Sequence, residues 1–292
     1  MQFTNFGQMI LGPAGSGKST YCKILQDHAA SLKREIVVIN LDPAAESFKY
    51  NCDIDIRELI TVVDVMLKKK LGPNGALVYC MEYLLEHIDW LEEQTESFAE
   101  NSYFLFDCPG QLELYSHYDI MTNIINALKR RGFSLCSVFC LDCTFLQEQS
   151  KFISGNLLSL ATMIQVSLPH LTVLTKCDLI SKTNIYKEIE NGMSPEDLVG
   201  ELTPFLGKKI DKLNELMINF VKNFSLVSLR ALNPNDEDTI SAVMYEADTV
   251  LQYFDSLEPR EADYVNAEKA MAGNIQEKFN IIIDNNFNKN IF

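Results

Sequence analysis

Five short apolar runs punctuate the chain, and each gives way to a polar or glycine-rich segment. Gln8–Leu11 leads into Gly12-Pro13-Ala14-Gly15-Ser16-Gly17-Lys18-Ser19-Thr20, and a helical pattern follows to about Ser31. Glu35–Leu41 ends at Asp42-Pro43, and Tyr103–Phe106 ends at Asp107-Cys108-Pro109-Gly110. Leu135–Leu141 ends at Asp142, and Leu171–Leu174 ends at Thr175-Lys176-Cys177-Asp178. Phe224–Leu229 is a plausible sixth run. Continuous apolar runs, rather than alternating ones, mark strands buried on both faces. The spacing predicts helices between them, most clearly over Gly75–Phe98, Ser116–Lys129 and Leu146–Ile164. Strand and helix in alternation predict an α/β fold with a mainly parallel sheet flanked by helices. In such sheets ligands bind at the carboxyl ends of the strands, so the polar segments converge on one site.

A chain of 292 residues admits one large α/β domain, or a core domain carrying insertions. The reading is one domain over 1–257 with two insertions. The first, at about 67–75, contains a basic Gly/Pro loop over Leu67–Asn74. Its triplet Lys68-Lys69-Lys70 reads as a solvated face, too short for a nucleic-acid footprint. The second, at about 179–223, is polar and helix-prone. Residues 258–292 turn polar and asparagine-rich, which predicts a mobile tail, with one further helix available over Asp263–Ala272.

Composition narrows the function classes. Apolar residues at 47% and charged residues at 22% describe an ordinary globular chain, not a collagen-like, rod-like or wholly disordered one. Asp plus Glu outnumber Lys plus Arg by 40 to 25, a net charge of −15. Such a surface repels phosphate backbones, so direct nucleic-acid binding is not expected, whereas a partner with basic surfaces is. The eight cysteines are scattered. Cys136, Cys140 and Cys143 form the tightest cluster but sit in a strand-like run, so they read as reduced and buried rather than as metal ligands. The N-terminus lacks a basic-then-apolar signal pattern, and no uncharged apolar run is long enough to cross a membrane.

Gly12–Ser19 matches GxxxxGK[ST] in full, with a strand before it and a helix after it. Its glycines let backbone N–H groups wrap phosphates, Lys18 reaches the β- and γ-phosphates, and the Ser19 hydroxyl is placed to ligand Mg²⁺. These features predict a P-loop NTPase with helical insertions. Asp107 at a strand end can hold the Mg²⁺ shell, and Gly110 can offer its N–H to the γ-phosphate. Gln111 and Glu113 follow and can orient water; their plainer reading is a loop and a helix start. Thr175-Lys176-Cys177-Asp178 reads as a base-recognition motif. The Asp178 carboxylate accepts from N1–H and N2–H₂ of guanine, a donor pair that adenine lacks, and Lys176 can lay its stem over the base. Asp42 can polarise the attacking water, or simply close an Asp-Pro turn.

Taken together these segments resemble the GPN-loop GTPases. The matching residues are Gly12–Thr20, Asn40–Ala44, Gly72-Pro73-Asn74, Asp107-Cys108-Pro109-Gly110-Gln111 with Glu113, and Thr175-Lys176-Cys177-Asp178. The likeness runs from about Phe6 to Leu257 and includes Met81-Glu82-Tyr83 and Lys151-Phe152-Ile153-Ser154. Asp55–Ile60 and Phe152–Gly155 look most like the third eukaryotic paralogue, with the second the nearest competitor. The resemblance implies a GTPase using GTP/GDP and Mg²⁺. It also implies a dimer, either with itself or with a paralogous GPN-loop GTPase, in which Asn74 reaches the γ-phosphate region of the partner's site. Asp42, Gln111 and Glu113 would surround the attacking water. A role in assembly and nuclear import of RNA polymerase II is implied as well, with that enzyme's subunits as clients and a cytoplasmic location with shuttling to the nucleus. Two features depart from the common pattern. Thr175 stands where small GTPases carry Asn, and the fifth guanine loop has only Ser228-Leu229-Arg230-Ala231-Leu232 as a candidate. Lys129-Arg130-Arg131 reads as a helix C-terminus rather than a nuclear signal.

Three readings stay open on sequence: a GTP-hydrolysing switch, a nucleotide-dependent scaffold or chaperone with negligible turnover, and an ATP-dependent kinase sharing the P-loop. Asp178 counts against the third, and the net charge counts against a polynucleotide as its substrate.

Overall fold

The computed structural model describes residues 5–99, 101–147, 149–180, 212, 216 and 228–256. Most of the second insertion, the tail at 258–292 and the helix expected over Asp263–Ala272 lie outside these residues.

Seven parallel strands form one sheet in the order β3-β2-β4-β1-β5-β6-β7. They are β1 Asn5–Leu11, β2 Ile36–Asn40, β3 Ile54–Asp55, β4 Tyr103–Asp107, β5 Phe133–Asp142, β6 His170–Thr175 and β7 Ser228–Ala231. Helix α1 (Lys18–Ser31) follows β1; α2 (Val62–Lys69), α3 (Pro73–Glu86) and α4 (Ile88–Glu96) link β3 to β4. Helices α5 (Glu113–Ser116) and α6 (Ile120–Arg130) lead to β5, α7 (Gln149–Val166) to β6, and α8 (Glu237–Leu251) follows β7. Central β1 pairs with β4 on one side and β5 on the other. The strand order therefore reverses beside β1, the position where open parallel sheets bind ligands.

The two-residue period divides the apolar runs between two cores. Met9, Leu11, Ile39, Phe104 and Phe106 pack on the face covered by α2–α4, α6 and α7. Phe6, Ile10, Val38, Tyr103 and Leu105 pack on the other face, covered by α1 and α8. Burial on both faces explains why the runs are mostly apolar. One polar residue inside them is Gln8, at the middle of β1. Tyr21 Oη donates to its Oε1 at 2.7 Å, and its Nε2 donates to Tyr103 Oη at 2.6 Å. Every polar group of that side chain is thus engaged inside the core, as burial requires.

The structure moves several boundaries. The long helix expected over Gly75–Phe98 is two helices, broken at His87. The His87 ring stacks on Tyr83 at 4.0 Å, and its Nδ1 lies 2.9 Å from the Tyr83 carbonyl. The expected loop at Leu67–Asn74 shrinks to 70–72, because Leu67–Lys69 complete α2 and Pro73-Asn74 open α3. Lys68 and Lys69 lie in the last turn of α2, where the helix dipole favours cations. The stretch Ser116–Lys129 resolves into α5 and α6, and β3 is an additional short edge strand. The end of the sixth run, Ser228–Leu229, opens β7, which continues to Ala231; the rest of that run lies outside the described residues. All eight cysteines are free and all but Cys52 are buried. No helix among the described residues is long and apolar enough to cross a membrane.

Candidate nucleotide-binding site

The loop Gly12–Gly17 turns the chain from β1 into α1. Gly12, Gly15 and Gly17 hold φ of 137°, 75° and 94°. A Cβ on Gly12 would stand 2.5 Å from the Cys140 carbonyl oxygen, so only glycine fits where the loop crosses β5. Gly17 caps α1 with no side-chain partner, and the first turn holds no acidic residue. The opening N–H groups and positive dipole end of α1 are therefore disposed toward an anion. Lys18 is buried, and its ammonium donates to the carbonyls of Gly12 and Pro13, each at 3.0 Å. The Ser16 hydroxyl is buried with no hydrogen-bond partner, an orphaned polar group that a phosphate oxygen would satisfy.

Asp107 ends β4 directly beside this loop and is only 4% exposed. Burial pushes its carboxyl up from the usual range; hydroxyl donors from Ser19 and Tyr50 and the charge of Lys18 pull it back, while Asp42 opposes them. A serine hydroxyl next to a strand-end carboxylate is a donor set that fits Mg²⁺, with Ser19 as ligand and Asp107 behind it. Gly110 folds over the loop so closely that a Cβ on it would lie 2.9 Å from Ala14 Cα. Gln111 is half-buried and donates from Nε2 to Asn74 Oδ1 at 2.7 Å, whereas Glu113 opens α5 and is exposed.

Asp42 stands at the end of β2, held by Asn40. Asn40 Oδ1 accepts from the Asp42 backbone N–H at 3.0 Å, and Asn40 Nδ2 donates to the Asp42 carbonyl at 3.0 Å and to Asp55 at 2.8 Å. Burial raises the Asp42 carboxyl, offset by the Ala44 N–H and by Lys18. The mutual influence of Asp42, Lys18 and Asp107 places them in one field. A partly buried carboxyl shifted upward is the kind of group that can accept a proton from water near neutrality.

The base-recognition segment lies on the other side of the loop. The Thr175 hydroxyl reaches the carbonyls of Ser16 and Leu141, so this departure from Asn still ties the segment to the P-loop. Thr20 lies in the first turn of α1. Lys176 has a left-handed backbone (φ 59°), and its ammonium pairs with Asp142 at the end of β5. Burial alone would raise the Asp142 carboxyl, but the bonds from Lys176 and Thr144 outweigh it and hold it low. Asp178 is exposed in the short turn after β6. The residues after β7 stand alongside, with the Leu232 N–H donating to the Leu174 carbonyl at 2.8 Å. Four of the five residues proposed for the fifth loop, Ser228–Ala231, are thus strand β7 itself, paired with β6, and only Leu232 and the residues after it can serve as a loop beside Thr175-Lys176. Asn40 enters the sequence reading only as the first residue of the matching segment Asn40–Ala44 and Asp142 only as a strand end, neither with a role at the site; Tyr50 belongs to no motif.

A family model described as "Conserved hypothetical ATP binding protein" matches residues 10–253. GPN-loop GTPase 3 of Dictyostelium discoideum is 41% identical over 261 residues, 89% of this chain and 91% of that protein. The chain belongs to the GPN-loop GTPase family. GPN-loop GTPase 3 of Saccharomyces cerevisiae is 39% identical across 90% of this chain and 98% of its own length, and that of Danio rerio 40% across 90% and 93%. These names agree with the third-paralogue resemblance of Asp55–Ile60 and Phe152–Gly155. A crystal structure of a GTPase in apo form from Pyrococcus abyssi has the same fold, with a TM-score of 0.69 at 20% identity over 86% of this chain and 98% of that one. In GPN-loop terms, Gly72 is the N-cap of α3, Pro73 its first residue and Asn74 its second. Proline suits that position because the N–H it lacks would go unbonded there. The triplet is thereby a rigid helix start on the same side of the sheet as Gln111.

Proposed function

We propose that this chain binds GTP with Mg²⁺ and hydrolyses it to GDP and phosphate. The observation that carries the reading is the meeting of three strand ends at one loop: a Cβ on Gly110, just after Asp107 at the end of β4, would touch the P-loop residue Ala14, and the Thr175 hydroxyl at the end of β6 donates to the Ser16 carbonyl. The family model's description names ATP and the relatives' names say GTPase, so the base preference rests on this chain's own Asp178. Mg²⁺, when bound, supplies charge neutralisation at the phosphates. The α1 N-terminus and the P-loop amides would hold the phosphates, and Lys18 would leave the Gly12 and Pro13 carbonyls to stabilise charge developing on the γ-phosphate. Asp42, Gln111 and Glu113 would position the attacking water. Lys176 and Asp178 would take the guanine.

The partner reading is a dimer with a paralogous GPN-loop GTPase or a second copy, with Asn74 serving the partner's nucleotide. Val63, Leu67 and Leu71, spaced four apart along and just beyond α2, leave an apolar stripe beside the triplet, and Leu67 is 74% exposed. A partner covering that stripe would also bring Asn74 across. The role in RNA polymerase II assembly and nuclear import, with a cytoplasmic location and shuttling to the nucleus, rests on the family resemblance. The acidic surface suits basic client surfaces. The same stripe and charge also favour a second reading, a nucleotide-gated scaffold with negligible turnover.

Phosphate release from GTP by the full chain with Mg²⁺, compared with Lys18→Ala, tests the proposal. Turnover abolished by Lys18→Ala supports it. Turnover below about one GTP per hour, the scale of slow intrinsic GTPases, together with tight GDP binding, selects the scaffold. Unchanged GTP binding in Lys18→Ala overturns the site.

A further inference from the structure

The loop between β2 and β3 carries no nucleotide-binding motif beyond Asp42, yet it delivers a side chain to the centre of the site. Tyr50 is 6% exposed, and its hydroxyl donates to Asp107 Oδ2 at 3.0 Å. Several contacts fix that approach. The next residue, Asn51, exchanges two hydrogen bonds with the Gln26 side chain on α1, at 2.8 and 2.9 Å. The Tyr50 ring stacks on Phe48 at 5.3 Å, and Phe48 lies under the Arg57 guanidinium at 4.3 Å. Arg57 in turn pairs with Asp55 and donates to the Ala45 carbonyl at 2.9 Å. Lys49 comes within 3.5 Å of the Thr20 hydroxyl. A loop anchored this heavily on α1 and β3 delivers the Tyr50 hydroxyl to a set place.

We propose that Tyr50 is a positioning residue for Mg²⁺, acting through Asp107. The inference rests on the magnesium reading of Ser19 and Asp107 given above. A carboxylate can turn about its Cβ–Cγ bond, and the Tyr50 hydroxyl is the donor bonded to Asp107, with the Ser19 hydroxyl near enough to favour its charged form. Tyr50 occupies Oδ2 and so fixes the plane of the group. The Ser19 hydroxyl can then keep donating its proton to Asp107 while its lone pair faces the metal. Tyr50 touches neither metal nor phosphate; its effect is to hold the carboxylate that orients a ligand. Partners in that position typically change metal affinity by about 10–100-fold.

The test is Mg²⁺ titration of GDP release from the full chain loaded with a fluorescent GDP, comparing wild type, Tyr50→Phe and Asp107→Asn. Tyr50→Phe keeps the ring stacked on Phe48 and removes only the hydroxyl. The expected result is a rise of about 10-fold in the Mg²⁺ concentration that half-maximally slows release. GDP affinity in EDTA should stay within about twofold, since the phosphate contacts are untouched. A purely structural role would lower GDP affinity in EDTA as well and leave the Mg²⁺ midpoint in place, which would overturn the proposal. Coincident wild-type and Tyr50→Phe midpoints, with Asp107→Asn shifted, would overturn it while leaving the magnesium site standing. A wild type indifferent to Mg²⁺ would overturn the magnesium reading and the Tyr50 role together.

Discussion

Gln111 Nε2 donates to Asn74 Oδ1 across 2.7 Å, joining the start of α3 to the loop that follows Asp107. The two residues that the family resemblance assigns to opposite protomers' sites thus share a bond within one chain. The bond holds the Gln111 amide away from free rotation and ties the triplet to the loop whose Gly110 packs on the P-loop residue Ala14. Asn74→Ala is expected to lower hydrolysis by about 10-fold or more while leaving GDP affinity within about twofold, the signature of a group acting only in the transition state. Mixed dimers of Asn74→Ala with Lys18→Ala decide which nucleotide Asn74 serves. If it acts across the dimer, the Asn74→Ala protomer's site receives an intact Asn74 and activity returns. If it acts through Gln111 of its own chain, no activity returns.

Gly110→Ala tests the closeness of the Asp107 loop to the P-loop. The added methyl would meet the backbone of Ala14, with Cα at 2.9 Å and N at 3.1 Å, and backbone cannot move aside as a side-chain tip can. Nucleotide affinity should fall by about 10-fold or more, with a loss of about 1–3 kcal/mol of stability from overpacking. Unchanged GDP binding by calorimetry would contradict the packing.

The clamp that docks α8 is predicted to be fragile to single substitutions. The Arg34 guanidinium lies between the rings of Tyr103 at 4.3 Å and Tyr253 at 4.1 Å and forks onto the fully buried Asp248. Arg34→Met strands a buried carboxylate, a change worth about 3–5 kcal/mol. The double variant Arg34→Met, Asp248→Leu should recover much of that loss. Chemical denaturation of the three proteins checks it, and equal losses in single and double variants would show that the pair does not carry the docking.

Much of this was legible beforehand, and the misses have physical causes. Runs such as Tyr103–Phe106 are readable because a strand buried on both faces admits few polar residues, and only hydrogen-bonded ones. The P-loop is readable because phosphate binding dictates glycines at fixed spacing. The break at His87 was hidden because no glycine or proline marks it; a ring stacked on Tyr83 holds the turn. Tyr50 was hidden because its role depends on a fold-back of the 43–53 loop onto α1, which leaves no local pattern. Asp142 was seen only as a strand end, since its pairing with Lys176 joins residues 34 apart.

Acid should weaken the fold before it titrates ordinary carboxylates. His170 is buried, its two ring nitrogens each 2.8 Å from the hydroxyls of Ser137 and Ser159, and burial lowers its pKa to about 4. A histidine near 6.5 in the unfolded chain takes up its proton first there, so the unfolded state binds more protons between those values. Stability is then complete above about pH 6.5 and is lost as pH falls toward 4, by an amount on the order of 3 kcal/mol. Thermal melts across that range should slope accordingly, and His170→Gln should flatten the slope. A slope unchanged in His170→Gln would place the sensitivity elsewhere.

A guanine-nucleotide site built from three strand ends is read out by the GDP and ADP affinities of the wild type and of Asp178→Asn. GDP should bind tighter than ADP by at least about 100-fold, because a carboxylate facing a base without its donor pair is left unpaired. Most of that preference should be lost in Asp178→Asn. ADP bound as tightly as GDP by the wild type would contradict it.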